Sequence, residues 1–145
     1  MGRIVVGVDG SDSSLNALGW AARQAQLTGD SLEAVTTWEY PKSGWGSMVP
    51  GMPTDFDPAQ AARQHQADAL ERVLGTEAAA AVTRTVLVGN AAQVLLDRAE
   101  GASLLVIGDR GYSGFKAAML GSVGLHVTLH APCPVVVVRG TVPDE

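Results

Sequence analysis

Four short runs, RIVVGV (3–8), LEAVTTW (32–38), LLVI (104–107) and VVVV (135–138), are poor in the polar alternation of a half-exposed strand. Continuous apolar strands of this kind are covered on both faces, as in a parallel sheet. A fifth run, TRTVLV (83–88), has the same β-branched character, but its onset is blurred by the preceding EAAAAV. Helical patterns separate the runs. The first starts at the polar cluster SDSS (11–14), where a hydroxyl or carboxylate can cap exposed amides, and stops near Gly29. The second has Asp57 as N-cap and Pro58 at the first helical position, and stops at Gly75. Asn90 and Gln93 have capping-box spacing ahead of VLLDRA, which predicts a third helix ending near Gly101, and a fourth spans Ser122 to about Ala131. Strand and helix alternate to a closing strand, which predicts right-handed crossovers and an open, doubly wound α/β sheet with helices on both faces.

The length of 145 residues suits a single domain, 1–145. One stretch interrupts the alternation, residues 39–57, rich in Gly and Pro; it reads as a mobile loop insertion. Its Trp45 and Met48 suit either a cover over a ligand or an uninvolved surface loop. The longest apolar runs fall far short of the roughly 20 residues a membrane-spanning helix needs, so no membrane role is expected. A formal net charge of −5 opposes binding to nucleic acid. IVVGV is too short for the core of a signal peptide, and the single cysteine forms no internal disulfide; a cytoplasmic location is the expectation. Cys133, between Pro132 and Pro134, has no neighbouring acid, base or CxxC partner and reads as a buried structural thiol.

In an open α/β sheet, ligands bind beyond the carboxyl ends of the strands where strand order reverses. Polar and glycine clusters fall at those ends: DGS (9–11), Gly89-Asn90 and GDRG (108–111). Gly108 and Gly111 permit tight turns with exposed amides, and Gly121-Ser122 do the same at the start of the fourth helix. Bare amides at a helix N-terminus attract anions, phosphate above all. Composition leaves a second reading open, in which the same glycines only shape a loop. The chain has no GxxxxGK[ST] loop and no GxGxxG after the first strand, which disfavours a P-loop enzyme and a dinucleotide-binding dehydrogenase. His126 and His130 have a metal-ligand spacing on one helix face, but no Cys or acid nearby completes a set. Ser11, Asp9 and a histidine could make up a serine triad, but the chain has no GxSxG elbow, and hydrolase chemistry of that type is not expected.

The spacing Gly108-x2-Gly111-x9-Gly121-Ser122 resembles the nucleotide-binding motif of the ATP-binding branch of the universal stress protein family. IVVGVDGSDSS (4–14), VLVGNAAQVLLDRA (86–99), MLGS (119–122) and CPVVVVR (133–139) extend the resemblance along the whole chain. It implies a five-stranded parallel sheet of order 3-2-1-4-5, adenine-nucleotide α-hydrolase-like, with ATP in the cleft and at most weak hydrolysis. By the same resemblance Val8 flanks the base, Asp9 holds the ribose or phosphate region, Gly10 allows close approach, and Trp38 falls where adenine meets backbone. Gly108 and Gly111 pass under ribose and phosphates, while Gly121, Ser122 and Val123 take the phosphate tail.

Two positions depart from the family pattern. Asp109 sets a carboxylate where a neutral residue is common, which weakens ATP or recruits Mg²⁺, with Arg110 as a compensating charge; Gly89 is kept, but the proline common two residues later is Ala91. The implied function is a nucleotide-responsive regulatory module in stress response, paired as a homodimer through edge strand 135–138 and acting on an unknown protein partner. The alternatives are a slow Mg-dependent ATPase, with Mg²⁺ near Asp9 and Asp109, and a dimeric interaction protein that binds another adenine nucleotide, such as cyclic AMP, or none.

Overall fold

The computed structural model describes residues 2–39, 57–110 and 121–140. The elements are β1 (Arg3–Gly7), α1 (Asp12–Thr28), β2 (Ser31–Trp38), α2 (Pro58–Leu74), α3 (Thr76–Ala80), β3 (Thr83–Val88), α4 (Ala91–Ala99), β4 (Leu104–Gly108), α5 (Ser122–His130) and β5 (Val135–Val138). All strand pairs are parallel, in the order β3-β2-β1-β4-β5. Both the α/β class and the strand order agree with expectation. The central strand β1 places Ile4 beside Leu32 on one side and Leu104 on the other.

Alternate residues of the buried strands feed opposite faces. Ile4, Val6 and Val106 pack with Leu18 of α1 and Leu70 of α2, whereas Val5, Leu105 and Ile107 pack with Leu95 of α4 and Val127 of α5. The sheet is thus covered on both sides, which is why its strands carry no polar alternation.

The helix ends follow from their caps. The Ser11 side chain accepts from the Ser14 N–H, and Gly29 closes α1 in the left-handed conformation at φ 78°. Asp57 caps Ala59 and Gln60 ahead of Pro58. Only half of the expected capping box forms at α4: Asn90 accepts from the Gln93 N–H at 3.1 Å, but the Gln93 side chain donates to Asp97 at 2.9 Å. The short α3 was not expected; Gly75, at φ 87°, separates it from α2 within the segment that blurred the onset of β3.

Two large polar side chains, Glu33 and Gln66, are buried along with Ser13, Ser14 and Thr36. Glu33 of β2 joins an ion cluster, and Gln66 pins α2 to the sheet: its Nε2 lies 3.1 Å from each of Ala34 O, Thr36 Oγ1 and Thr85 O. Gln66→Leu is expected to cost about 1 to 3 kcal/mol, because buried acceptors lose their donor. Urea denaturation should show a lower midpoint at unchanged slope. A midpoint equal to wild type would contradict the pinning role.

Candidate functional site

The site is built where β1, β2 and β4 end. Val8 is buried, donates its N–H to Val35 O at 2.9 Å and accepts at its own carbonyl from the Thr36 hydroxyl at 2.8 Å. The chain then turns through Asp9 and Gly10, both exposed. Gly10 adopts φ 88°, a left-handed conformation that favours glycine. Asp9 Oδ1 accepts from the Ser11 N–H at 2.9 Å and the Ser11 hydroxyl at 2.6 Å. These bonds hold the carboxylate at the start of α1. A cleft of about 410 Å³ opens beside Asp9 and Gly10, walled by Leu15 of α1 and by His65, Asp68 and Arg72 of α2. The sequence reading missed the α2 wall; the signal was available in the spacing of 65, 68 and 72, which shares one helix face.

Gly108 owes its missing side chain to packing. A Cβ there would lie 2.7 Å from the Ser13 carbonyl carbon and 2.8 Å from Ser13 Cβ, and would also strike Ser13 Oγ. The Ser13 hydroxyl then fixes the next peptide, donating to Arg110 O at 2.6 Å and accepting from the Arg110 N–H at 3.3 Å. Ser11 Oγ reaches the same carbonyl at 3.3 Å. Hydroxyls at the N-cap and first turn of α1 thereby position the residues that follow β4.

Asp109 joins three segments. Its N–H donates to Val138 O at 3.0 Å, its carbonyl accepts from the Gly121 N–H at 3.0 Å, and its Oδ1 accepts from the Gly140 N–H at 3.1 Å. Arg110 Nε stands 3.9 Å from the same oxygen. Gly121 is the N-cap of α5 and supplies no side-chain cap. A helix start of this kind presents backbone N–H groups and partial positive charge, here at Ser122 and Val123, both exposed. The Asp9–Gly10 turn, the β4 end and the α5 start are therefore bonded into one group. Gly111, Trp45 and Met48 lie outside the described residues.

Trp38 and Gly89 form a second group. The Gly89 N–H donates to Trp38 O at 2.8 Å, and Trp38 is half-buried at the end of β2. Gly89 adopts φ 141°, and a Cβ there would meet Val94 at 3.3 Å, so this glycine too has a local structural reason. Trp38 is linked to the first group through β2, whose Val35 and Thr36 hold Val8.

Among the described residues no three His, Cys, Asp or Glu side chains converge as metal ligands. His126 and His130 are exposed, with ring centroids 4.5 Å apart and His130 Nδ1 donating to His126 O at 2.9 Å. Cys133 is half-buried, and burial pushes its thiol above the ordinary range, against the opposing pull of the Arg3 charge. A thiol that stays protonated is a poor nucleophile, in keeping with a structural role. No helix among the described residues is long and apolar enough to cross a membrane.

The arrangement has close likenesses. Universal stress protein Rv2623 of Mycobacterium tuberculosis is 36% identical over 140 residues, covering 94% of this chain and 44% of that protein. A relative from Mycolicibacterium smegmatis, also a universal stress protein, is 29% identical over 94% of this chain and 48% of its own. The chain thus spans about half the length of the curated relatives it matches. Among solved structures, UspA of Lactobacillus plantarum superposes with a TM-score of 0.72 at 25% identity, covering 95% of this chain and 97% of that one. A universal stress protein solved in complex with cAMP gives a TM-score of 0.65 at 27% identity, covering 97% and 98%. The family model described as the universal stress protein family matches residues 1–139, and the chain belongs to that family.

Proposed function

We propose that this chain, acting as a single domain over residues 1–145, binds an adenine nucleotide, ATP first, at the joined ends of β1, β2 and β4. The observation that carries this reading is the α5 start: no side chain caps it, and Gly121 bonds it directly to Asp109 at the end of β4. Amides of Ser122 and Val123 take the phosphate tail, with Gly108, Gly111 and Gly121 keeping the surrounding backbone bare. The Asp9 carboxylate accepts from ribose hydroxyls beside Gly10, while Val8 and Trp38 flank the base, with Gly89 holding the Trp38 carbonyl in place. Arg110 adds a cation close to the phosphates. Hydrogen bonds to a charged group contribute about 1.5 to 3 kcal/mol each, so a few suffice for micromolar affinity.

The site residues fit a nucleotide better than they fit a resident Mg²⁺, because among the described residues no three His, Cys, Asp or Glu side chains converge on a metal position. Any Mg²⁺ arrives with the nucleotide, and hydrolysis is at most slow, since phosphoryl transfer depends on positioned cations. Cyclic AMP is the second reading, favoured by the relative solved with cAMP at 27% identity.

Output is binding-linked rather than chemical: the nucleotide changes what a protein partner meets in the cytoplasm. The edge strand β5 exposes Val137 and is the strand through which a second copy pairs. Calorimetric titration with ATP and with cyclic AMP, each with and without Mg²⁺, tests the reading. Micromolar binding of ATP is the expected result. Absence of heat for either nucleotide at millimolar concentration overturns it.

A further inference from the structure

Asp109 stands at the start of the glycine loop, yet its carboxylate is turned toward the far end of the chain. Its Oδ1 accepts from the Gly140 N–H, two residues beyond the end of edge strand β5. Asn16 of α1 grips the same segment, donating from Nδ2 to Arg139 O at 3.3 Å and to Gly140 O at 2.9 Å. Gly140 has no room for a side chain, because a Cβ would lie 2.8 Å from Ser13 Cβ. Ser13 is the same residue that packs on Gly108 and bonds both N–H and carbonyl of Arg110. The β5 exit and the base of the loop thus close on one buried serine, with Asp109 bonded to the exit by its side chain and to Gly121 by its carbonyl.

We propose that Asp109 is a positioning residue that couples the nucleotide site to the exit of β5, through the hydrogen bond from Gly140 rather than through metal or phosphate. This rests on the nucleotide-binding reading above. One oxygen of Asp109 accepts from the Gly140 N–H, so the carboxylate already has a structural partner at the exit of β5. Shifting the exit at 139–140 moves the Asp109 peptide, and with it Gly121 at the α5 start. Linkage is reciprocal: a nucleotide seated on the α5 start steadies the Gly140 bond, and a steadier exit favours the nucleotide.

The test compares Asp109→Asn, which keeps an oxygen able to accept from Gly140, with Asp109→Ala, which does not. Two readouts are taken on the full chain: the ATP dissociation constant, and residue-resolved exchange of the Gly140 amide with and without ATP. The asparagine variant should retain most of the affinity and the protection. The alanine variant should weaken ATP by about tenfold or more and speed Gly140 exchange by a similar factor, the loss expected for one charge-assisted bond. Asn16→Ala, on the exposed face of α1, loosens the same exit without touching the loop, and should weaken ATP by about threefold, the effect of a modest neutral bond. It also serves if Asp109→Ala fails to fold. Equal loss of Mg-ATP affinity in Asp109→Asn and Asp109→Ala, with Gly140 exchange unchanged, would make Asp109 a metal ligand and overturn the proposal. Equal tightening in both would reduce it to simple repulsion and overturn it as well. If wild type binds no nucleotide, the coupling fails with the nucleotide reading; a Gly140 exchange contrast between the two variants then shows that the latch itself was placed correctly.

Discussion

Glu33→Ala is expected to lower the unfolding free energy by about 2 to 4 kcal/mol, somewhat below the loss for breaking a fully buried ion pair. Glu33 is 1% exposed, and its carboxylate meets Arg3 Nη1 at 2.8 Å and Arg98 Nη2 at 2.7 Å. Arg98 Nε at 2.9 Å and the Thr85 hydroxyl at 2.6 Å complete its shell. Arg3 continues to Arg98 O at 2.9 Å and Glu100 O at 3.0 Å. One carboxylate therefore links β1, β2, β3 and the end of α4. Removing it leaves two guanidinium groups facing one another, although their 31% and 41% exposure lets water relieve part of the repulsion. Chemical denaturation measures the loss, and a change under about 0.5 kcal/mol, the range of an ordinary surface substitution, would refute the assignment. Because Glu33 pairs with Val5 and Thr83, well before the strand ends, the folded variant should keep wild-type nucleotide affinity.

Gly108→Val produces the second large effect, and unlike Glu33→Ala it damages stability and binding together. The new Cβ meets backbone as well as side chain of Ser13, and Ser13 has no room to retreat because Gly140 confines it from another side. Overpacking of this kind costs about 1 to 3 kcal/mol, occasionally more. The displaced Ser13 hydroxyl also releases the Arg110 peptide, so nucleotide affinity should fall by about tenfold or more, the equivalent of one charge-assisted bond. Thermal unfolding together with a nucleotide titration decides the matter. A valine variant with wild-type values in both would show that α1 does not pack on β4 as described.

Much of this architecture is legible in the sequence because local signals agree with the fold. Apolar runs without alternation announced a doubly covered parallel sheet, and Ser11, Asp57, Asn90, Gly29 and Gly75 marked helix ends that the structure reproduces. The strand order is different in kind: it came from the resemblance, since alternation alone permits several orders. Glu33 and Gln66 were not legible as core residues, because what makes their burial tolerable is partners 19 to 65 positions away. The short α3 was hidden by an alanine run that carries no face.

The placement of Asp9, Gly10, Gly89 and Gly108 at strand ends was legible, and several of the reasons for those residues were not. Gly108 and Gly89 look like phosphate-loop glycines in one dimension, but their immediate causes are Ser13 and Val94. The carboxylate of Asp109 looks like an intruder beside an anion until Gly140, its partner, is seen at the end of β5. Sequence spacing registers which residues lack side chains; only packing tells which neighbour requires it.

The proposed nucleotide site lies where the Asp9–Gly10 turn, the end of β4 and the start of α5 are bonded together. Backbone amide exchange resolved by residue, with and without saturating ATP, tests it most directly. Slowed exchange is expected at Gly10, at residues 108–110 and at Ser122, Val123 and Gly124, with the amides of α2 beyond His65 little changed. Protection confined to other parts of the chain, or no change on adding ATP, would contradict that placement.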